Sequence, residues 1–189
     1  MSQINVNTIN EYAINNGVTI DGVLIKDSAI ASSYISGLNS GITTVDMWRL
    51  TADVTSSGVI TANLTQNAFT NVGLIGTGMS ESSGIFTFSS TGIWQVGFQG
   101  LIRINATTSY GSIAIETTND ATNYSTVASA INYGRDAYSS VNVYCQAIFD
   151  ITDTSNQKIR FNYSEGGTSY IDVDGSDRPN FFFIRLGDT

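Results

Sequence analysis

The sequence predicts an all-β protein: a sandwich or barrel over residues 46–189, preceded by a segment, residues 1–45, that carries a hairpin. Three observations point there. Apolar and polar residues alternate in run after run from residue 46 onward, with no helical period. Clusters of Gly, Asn, Ser and Asp separate those runs at short spacing. Charged residues make up only 13% of the chain, about half the usual share, so Asn, Ser, Thr and Gly must supply the polar surface.

The elements follow in order. In residues 1–45 Tyr12 and Tyr34 are the only aromatics, and Phe and Trp are absent. Ile4 and Val6 alternate, and Asn15-Asn16-Gly17 marks a turn. Val18-Thr19-Ile20 and Val23-Leu24-Ile25 then flank Asp21-Gly22. Asp-Gly between β-branched runs is a strong hairpin signal, because a type I′ turn needs positive φ at both central positions. A lone hairpin is marginal in water. Val18, Ile20, Asp21, Gly22, Val23 and Ile25 therefore read as an anchoring or assembly element, leaning on another subunit or on the surface that carries the chain. Beyond it, Leu24, Ala31, Ile35, Leu38, Ile42 and Val45 approximate a heptad pattern. Gly37 and Gly41 weaken any helix there by about 1 kcal/mol each. A neck facing neighbouring subunits and an irregular linker both fit this stretch.

From residue 46 the reading is strands. Trp94, Val96, Phe98, Ile102 and Ile104 share one face of a long strand, and Gln95, Gln99 and Arg103 share the other. Gly97 and Gly100 mark places where a side chain is unwanted or the strand kinks. Ile113 and Ile115 alternate with polar neighbours, as do residues 141–151. Asp153-Thr154-Ser155-Asn156 makes a turn before Ile159, Phe161 and Tyr163. Phe181, Phe182, Phe183, Ile184 and Leu186 read as a closing strand buried on both sides.

The chemistry is sparse. With no histidine, there is no Ser-His-Asp triad, no histidine metal ligand and no imidazole base. The one cysteine, Cys145, cannot form an intrachain disulfide and sits in an alternating apolar run, where it reads as a small buried hydrophobe. Glu116 with Asp120, and Asp150 with Asp153, are close carboxylates, but they fall at strand ends and turns, where acidic residues solvate loops. No enzymatic activity is expected. Asp172, Asp174 and Asp177 in IDVDGSD form the metal candidate. Alternating carboxylates about a glycine turn can ligate calcium, although the glutamate that completes a calcium loop is missing. A solvated acidic turn is the other reading, and no other cofactor is implied.

Tyr124, Tyr133, Tyr138, Tyr144, Tyr163 and Tyr170 spread through the second half. Tyr133 and Tyr138 are candidates for glycan contact, since tyrosines at loop tips stack on sugars; ordinary sandwich surface or subunit interface is the alternative. Sequons at Asn63, Asn105, Asn123 and Asn162 are what an Asn-, Ser- and Thr-rich chain yields by chance. Net charge is −8 with no basic run, which disfavours nucleic acid as a partner. No apolar stretch is long enough to span a membrane. MSQINVNTINEY lacks the basic start and apolar run of a signal peptide.

Two resemblances add to this. SSGIFTFSSTGIWQVGFQGLI looks like the central strands of the complement globular-head and tumour necrosis factor jelly-roll superfamily, with Gly84, Phe86, Gly92, Trp94 and Val96 at the patterned positions. FFFIRLGDT resembles that family's closing aromatic strand, and MWRLTADVT its first-strand partner. The resemblance implies a jelly-roll β-sandwich that forms a homotrimer. It departs from the family's complement branch in having no collagen stalk. Separately, INVNTINEYAINNGVTIDGVLIKD, GTGMSESSGIFTF and the ending FIRLGDT resemble virion proteins of marine and cyanobacterial tailed phages. This second resemblance implies a protein located in the virion, with capsid or tail proteins as partners. The expectation is a trimeric decoration, head spike or knob held by its N-terminal segment. Fully extended, 45 residues reach at most about 150 Å, which suits a short display better than a long fibre. A tail-fibre or receptor-binding module for a host surface glycan is the alternative.

Overall fold

A computed structural model describes residues 18–20, 23–26, 29–30, 41–67, 73–107, 109–173 and 179–189. The chain separates into two compact units, Met1–Ser40 and Gly41–Thr189. The division falls slightly before the 45/46 boundary read from the sequence, because Thr44 and Val45 already pair with Arg185 and Ile184.

The first unit holds three short strands: β1 (Val18–Ile20), β2 (Val23–Lys26) and β3 (Ala29–Ile30). β1 pairs antiparallel with β2, Val18 opposite Ile25 and Ile20 opposite Val23. β3 pairs with the other edge of β2. Asp21 and Gly22 lie outside the described residues, between the innermost pair. The heptad reading fails at its ends. Leu24 belongs to β2 and Val45 to a strand of the second unit, and neither conformation continues a helix.

The second unit contains no helix among the described residues. Its strands are β4 (Thr44–Leu50), β5 (Gly58–Val59), β6 (Leu64–Gln66), β7 (Leu74–Ile75), β8 (Ser80–Ser82), β9 (Ile85–Thr87), β10 (Gly92–Ile104), β11 (Tyr110–Thr118), β12 (Ser125–Tyr133), β13 (Ser139–Ile151), β14 (Lys158–Gly166), β15 (Ser169–Ile171) and β16 (Asn180–Gly187). Two antiparallel sheets result. The first runs β13-β10-β16-β4-β6, with β15 added to β10 and β7 to β4. The second runs β12-β11-β14-β9-β8, with β5 added to β14.

Alternation along each strand fills the space between the sheets. Trp94, Val96, Phe98, Ile102 and Ile104 of β10 are fully buried, as are Phe181 and Phe183 of β16, and they meet Ile113, Ile115, Ile159 and Phe161 of the second sheet. The centre is aromatic. Phe98 stacks on Phe181 with centroids 4.5 Å apart, and Phe161 lies 4.5 Å from Phe181. Such pairs add about 0.5–1.5 kcal/mol each beyond simple burial. Tyr163 is also buried, its hydroxyl satisfied by Ser169 Oγ at 3.0 Å.

Asp46 is the notable polar group in this interior, fully buried on β4. Its carboxylate accepts hydrogen bonds from Trp48 Nε1 (2.8 Å), Gln66 Nε2 (2.8 Å) and the Met79 amide (2.7 Å). It thereby ties β4, β6 and the approach to β8 together. Removing it orphans three donors, each of them costly to leave unpaired. Asp46→Ala is expected to lower folding stability by about 2–4 kcal/mol, read as a lower denaturant midpoint. A change within experimental error would show that water replaces the carboxylate.

Candidate functional site

The closing strand departs from its sequence reading. Phe181 and Phe183 are buried, but Phe182 and Ile184 are half-buried and Leu186 is exposed. β16 is covered on one face only. Its other face belongs to an outer surface of the first sheet that is unusually apolar.

The register defines that surface. One row across five strands reads Ile148, Gln95, Ile184, Val45, Ile75. Ile148 is 69% exposed and Ile75 56% exposed. The next row reads Gln146, Gly97, Phe182, Met47. Gly97 is needed there: a Cβ at that position would sit 2.2 Å from Phe182 Cε1, so the ring lies flat across the strand. Tyr144 stacks against the same ring at 6.3 Å and 15°. Tyr144 Oη and Gln95 Nε2 both donate to Gln146 Oε1 at 2.7 Å, which fixes the polar groups bordering the patch.

The second sheet differs. Opposite residues on the outer side of β11 and β14 are Ser112 with Ser164, Ala114 with Asn162, and Glu116 with Arg160. Arg160 Nε is 2.6 Å from Glu116 Oε2, Asn162 Nδ2 donates to Glu116 Oε1 at 3.2 Å, and the Arg160 guanidinium lies 4.0 Å over the Tyr124 ring. Only the edge strand β12 of this sheet exposes large apolar side chains on its outer side, at Val127, Ile131 and Tyr133.

The remaining candidates separate cleanly. β4 enters at the end of the sandwich where Thr44 meets Arg185, and β10 ends at the opposite pole, where Ile104 faces Ser139. Tyr133 and Tyr138 lie at that far pole, 62% and 81% exposed. Tyr110, which the sequence did not single out, joins them, its ring 5.7 Å from Tyr133. Asp172 is taken by an ion pair: Arg103 Nη2 lies 2.5 Å and Nε 3.0 Å from its Oδ2. Asp174 and Asp177 lie outside the described residues. No group of three His, Cys, Asp or Glu side chains among the described residues is placed to hold a metal ion.

Glu116 is committed to Arg160, and Asp120 and Asp153 to their own turns. Asp120 accepts from the Asn123 amide (2.7 Å), Asn123 Nδ2 (2.7 Å), Thr118 Oγ1 (2.7 Å) and the Thr122 amide (2.9 Å). Asp153 accepts from Asn156 Nδ2 (2.7 Å) and the Ser155 amide (2.8 Å). Cys145 is buried, and burial pushes its thiol up to about 11, away from nucleophile chemistry.

No protein-family model matches the chain, and no curated protein matches it. Solved structures do. Murine APRIL at pH 5.0 is similar over 76% of this chain and 98% of its own, with 15% identity and a TM-score of 0.54. Eiger TNF from S. frugiperda is similar over 79% of this chain and 95% of its own, with 11% identity and a TM-score of 0.60. The fold is a tumour necrosis factor-like jelly roll. Gly84, Phe86, Gly92, Trp94 and Val96 take the places the sequence resemblance gave them. Gly84 turns between β8 and β9 with φ of 82°, and the three large side chains are fully buried.

The turn carboxylates give a pH prediction. Hydrogen bonds from Asn123, Thr118 and Thr122 hold the Asp120 carboxyl well below the usual carboxylate range. A depressed folded-state value means that the stabilisation is present above the unfolded aspartate value of about 3.9 and is lost as pH falls toward the folded value. The Asp120 carboxyl resonance should therefore titrate far below that of an ordinary aspartate. A midpoint near about 4 would contradict the hydrogen-bonded turn.

Proposed function

We propose that this chain is a structural display protein of a tailed-phage particle, working as a homotrimer in assembly and binding, not in catalysis. The head is residues 41–189, and the hairpin segment, with Val18, Ile20, Val23 and Ile25, attaches it to capsid or tail proteins. The observation that carries the trimer is the apolar row Ile148, Ile184, Val45, Ile75 together with the stacked Tyr144 and Phe182. An apolar outer face of this kind, interrupted in its row by Gln95, supports an interface. A closed ring of identical subunits needs two different surfaces, and the exposed Val127 and Ile131 of β12 supply a second one. The likeness of the N-terminal text and of FIRLGDT to phage virion proteins supports the location. Three copies would give three attachment segments, whose weak contacts multiply through effective concentration. A receptor-binding role is the second reading, favoured by the exposed tyrosines at the pole far from Thr44.

Light scattering of the purified chain is expected to give three times the monomer mass. Ile148→Glu, at a position too exposed to disturb the fold, is expected to give monomers with an unchanged circular dichroism spectrum. A monomeric parent protein would overturn the trimer. Particles supplied with a chain lacking residues 1–30 are expected to be bare of it, and normal incorporation would remove the anchoring role.

A further inference from the structure

The far pole of the sandwich carries an aromatic group that neither the core nor the apolar sheet face uses. Tyr133 ends β12 and Tyr138 closes the loop into β13. Tyr138 is 81% exposed and yet has φ of 63°, a left-handed conformation that a bulky side chain rarely adopts. Nothing in the fold rewards a tyrosine there over glycine or asparagine. An exposed residue held in a disfavoured conformation points to a use for its side chain.

The surroundings are firm. Gly134 donates its amide to Ser109 O at 2.9 Å and packs against Ile104, which leaves no room for a Cβ. Ser139 Oγ donates to Asp136 O at 2.8 Å, and the Tyr133 amide donates to Asn132 Oδ1 at 2.9 Å. The Tyr110 ring lies against Gly166 and supports Tyr133 from below at 5.7 Å. The loop is therefore pre-organised, which lowers the entropic cost of binding.

We infer that Tyr133 and Tyr138 form a binding site for a neutral hexose oligosaccharide. Tyrosine offers a flat apolar face for the C–H side of a pyranose and a hydroxyl for its rim, and it loses little conformational entropy on binding. Arg135 and Asp136, both exposed in the same loop, add donors and acceptors while cancelling in charge. The chain carries −8 overall, so uronate or sialate polymers are repelled at long range and neutral sugars are not. This inference deepens the receptor-binding reading and rests on it; Tyr133 shares the outer side of β12 with Val127 and Ile131, and Tyr138 lies beyond that strand in the loop to β13.

The test uses the full chain and saturation-transfer NMR with gluco-, galacto- and manno-oligosaccharides, with a polyuronate as the charged comparison. At least one neutral series is expected to bind, with the polyuronate weaker. Tyr133→Ala and Tyr138→Gly are each expected to weaken that binding about tenfold or more. Tyr138→Gly is also expected to keep or raise the melting temperature, because glycine accepts the left-handed φ. Loss of binding with retained stability separates a ligand contact from a structural role. No binding to any neutral series, a preference for the polyuronate, or binding indifferent to both substitutions would each overturn the proposal.

Discussion

The contact between the two sheets around Phe86 is the constraint that the rest of the head obeys. Phe86 comes from the second sheet and touches four rings: Trp48 at 5.2 Å, Phe183 at 5.1 Å, Phe161 at 5.4 Å and Phe181 at 6.4 Å. Three of those four belong to the first sheet, two of them in β16. Packed sheets stand about 10 Å apart, and this cluster fills that gap. A slip of one residue in β9 would turn Phe86 outward, and one in β16 would exchange Phe181 and Phe183 for Phe182, so the aromatic cluster sets the registers from which the surface rows follow.

Once the inward positions are committed, the two outer faces are free to differ, and they do. The second sheet carries an ion pair, amides and hydroxyls over its middle strands. The first carries Phe182 lying over Gly97, with aliphatic side chains on the neighbouring strands. Water solvates the former without cost. The latter leaves apolar area exposed that burial against another copy would stabilise at roughly 25 cal/mol per Å². The asymmetry between faces, more than the fold itself, supports the proposed assembly.

Much of this was legible in the chain. The two faces of β10 were readable because large side chains occupy its inward positions from Trp94 to Ile104 except Gly100, and because Gln95, Gln99 and Arg103 mark the other side. The hairpin was readable from Asp21-Gly22, and the observed register places Ile20 opposite Val23 as that turn requires. Consecutive phenylalanines in β16 misled, since an unbroken apolar run looks the same whether its second face meets a core or a partner. Asp46 was silent, because its three donors come from residues 48, 66 and 79. Asp172 read as part of a local acidic turn, whereas its partner Arg103 lies in β10. Local pattern reports which face a residue takes. It does not report which distant group waits there.

The place of β16 in the first sheet has a temporal consequence. It is the last strand of the head in chain order, yet it lies inside the sheet, between β10 and β4, the latter being the earliest strand of the head. Until residues 180–187 are synthesised, β4 and β10 lack the strand that stands between them in the finished sheet. Phe182 and Ile184, which complete the apolar face, arrive in the same stroke. A chain lacking residues 180–187 would therefore lack both the central strand and the apolar face on which the proposed trimer rests.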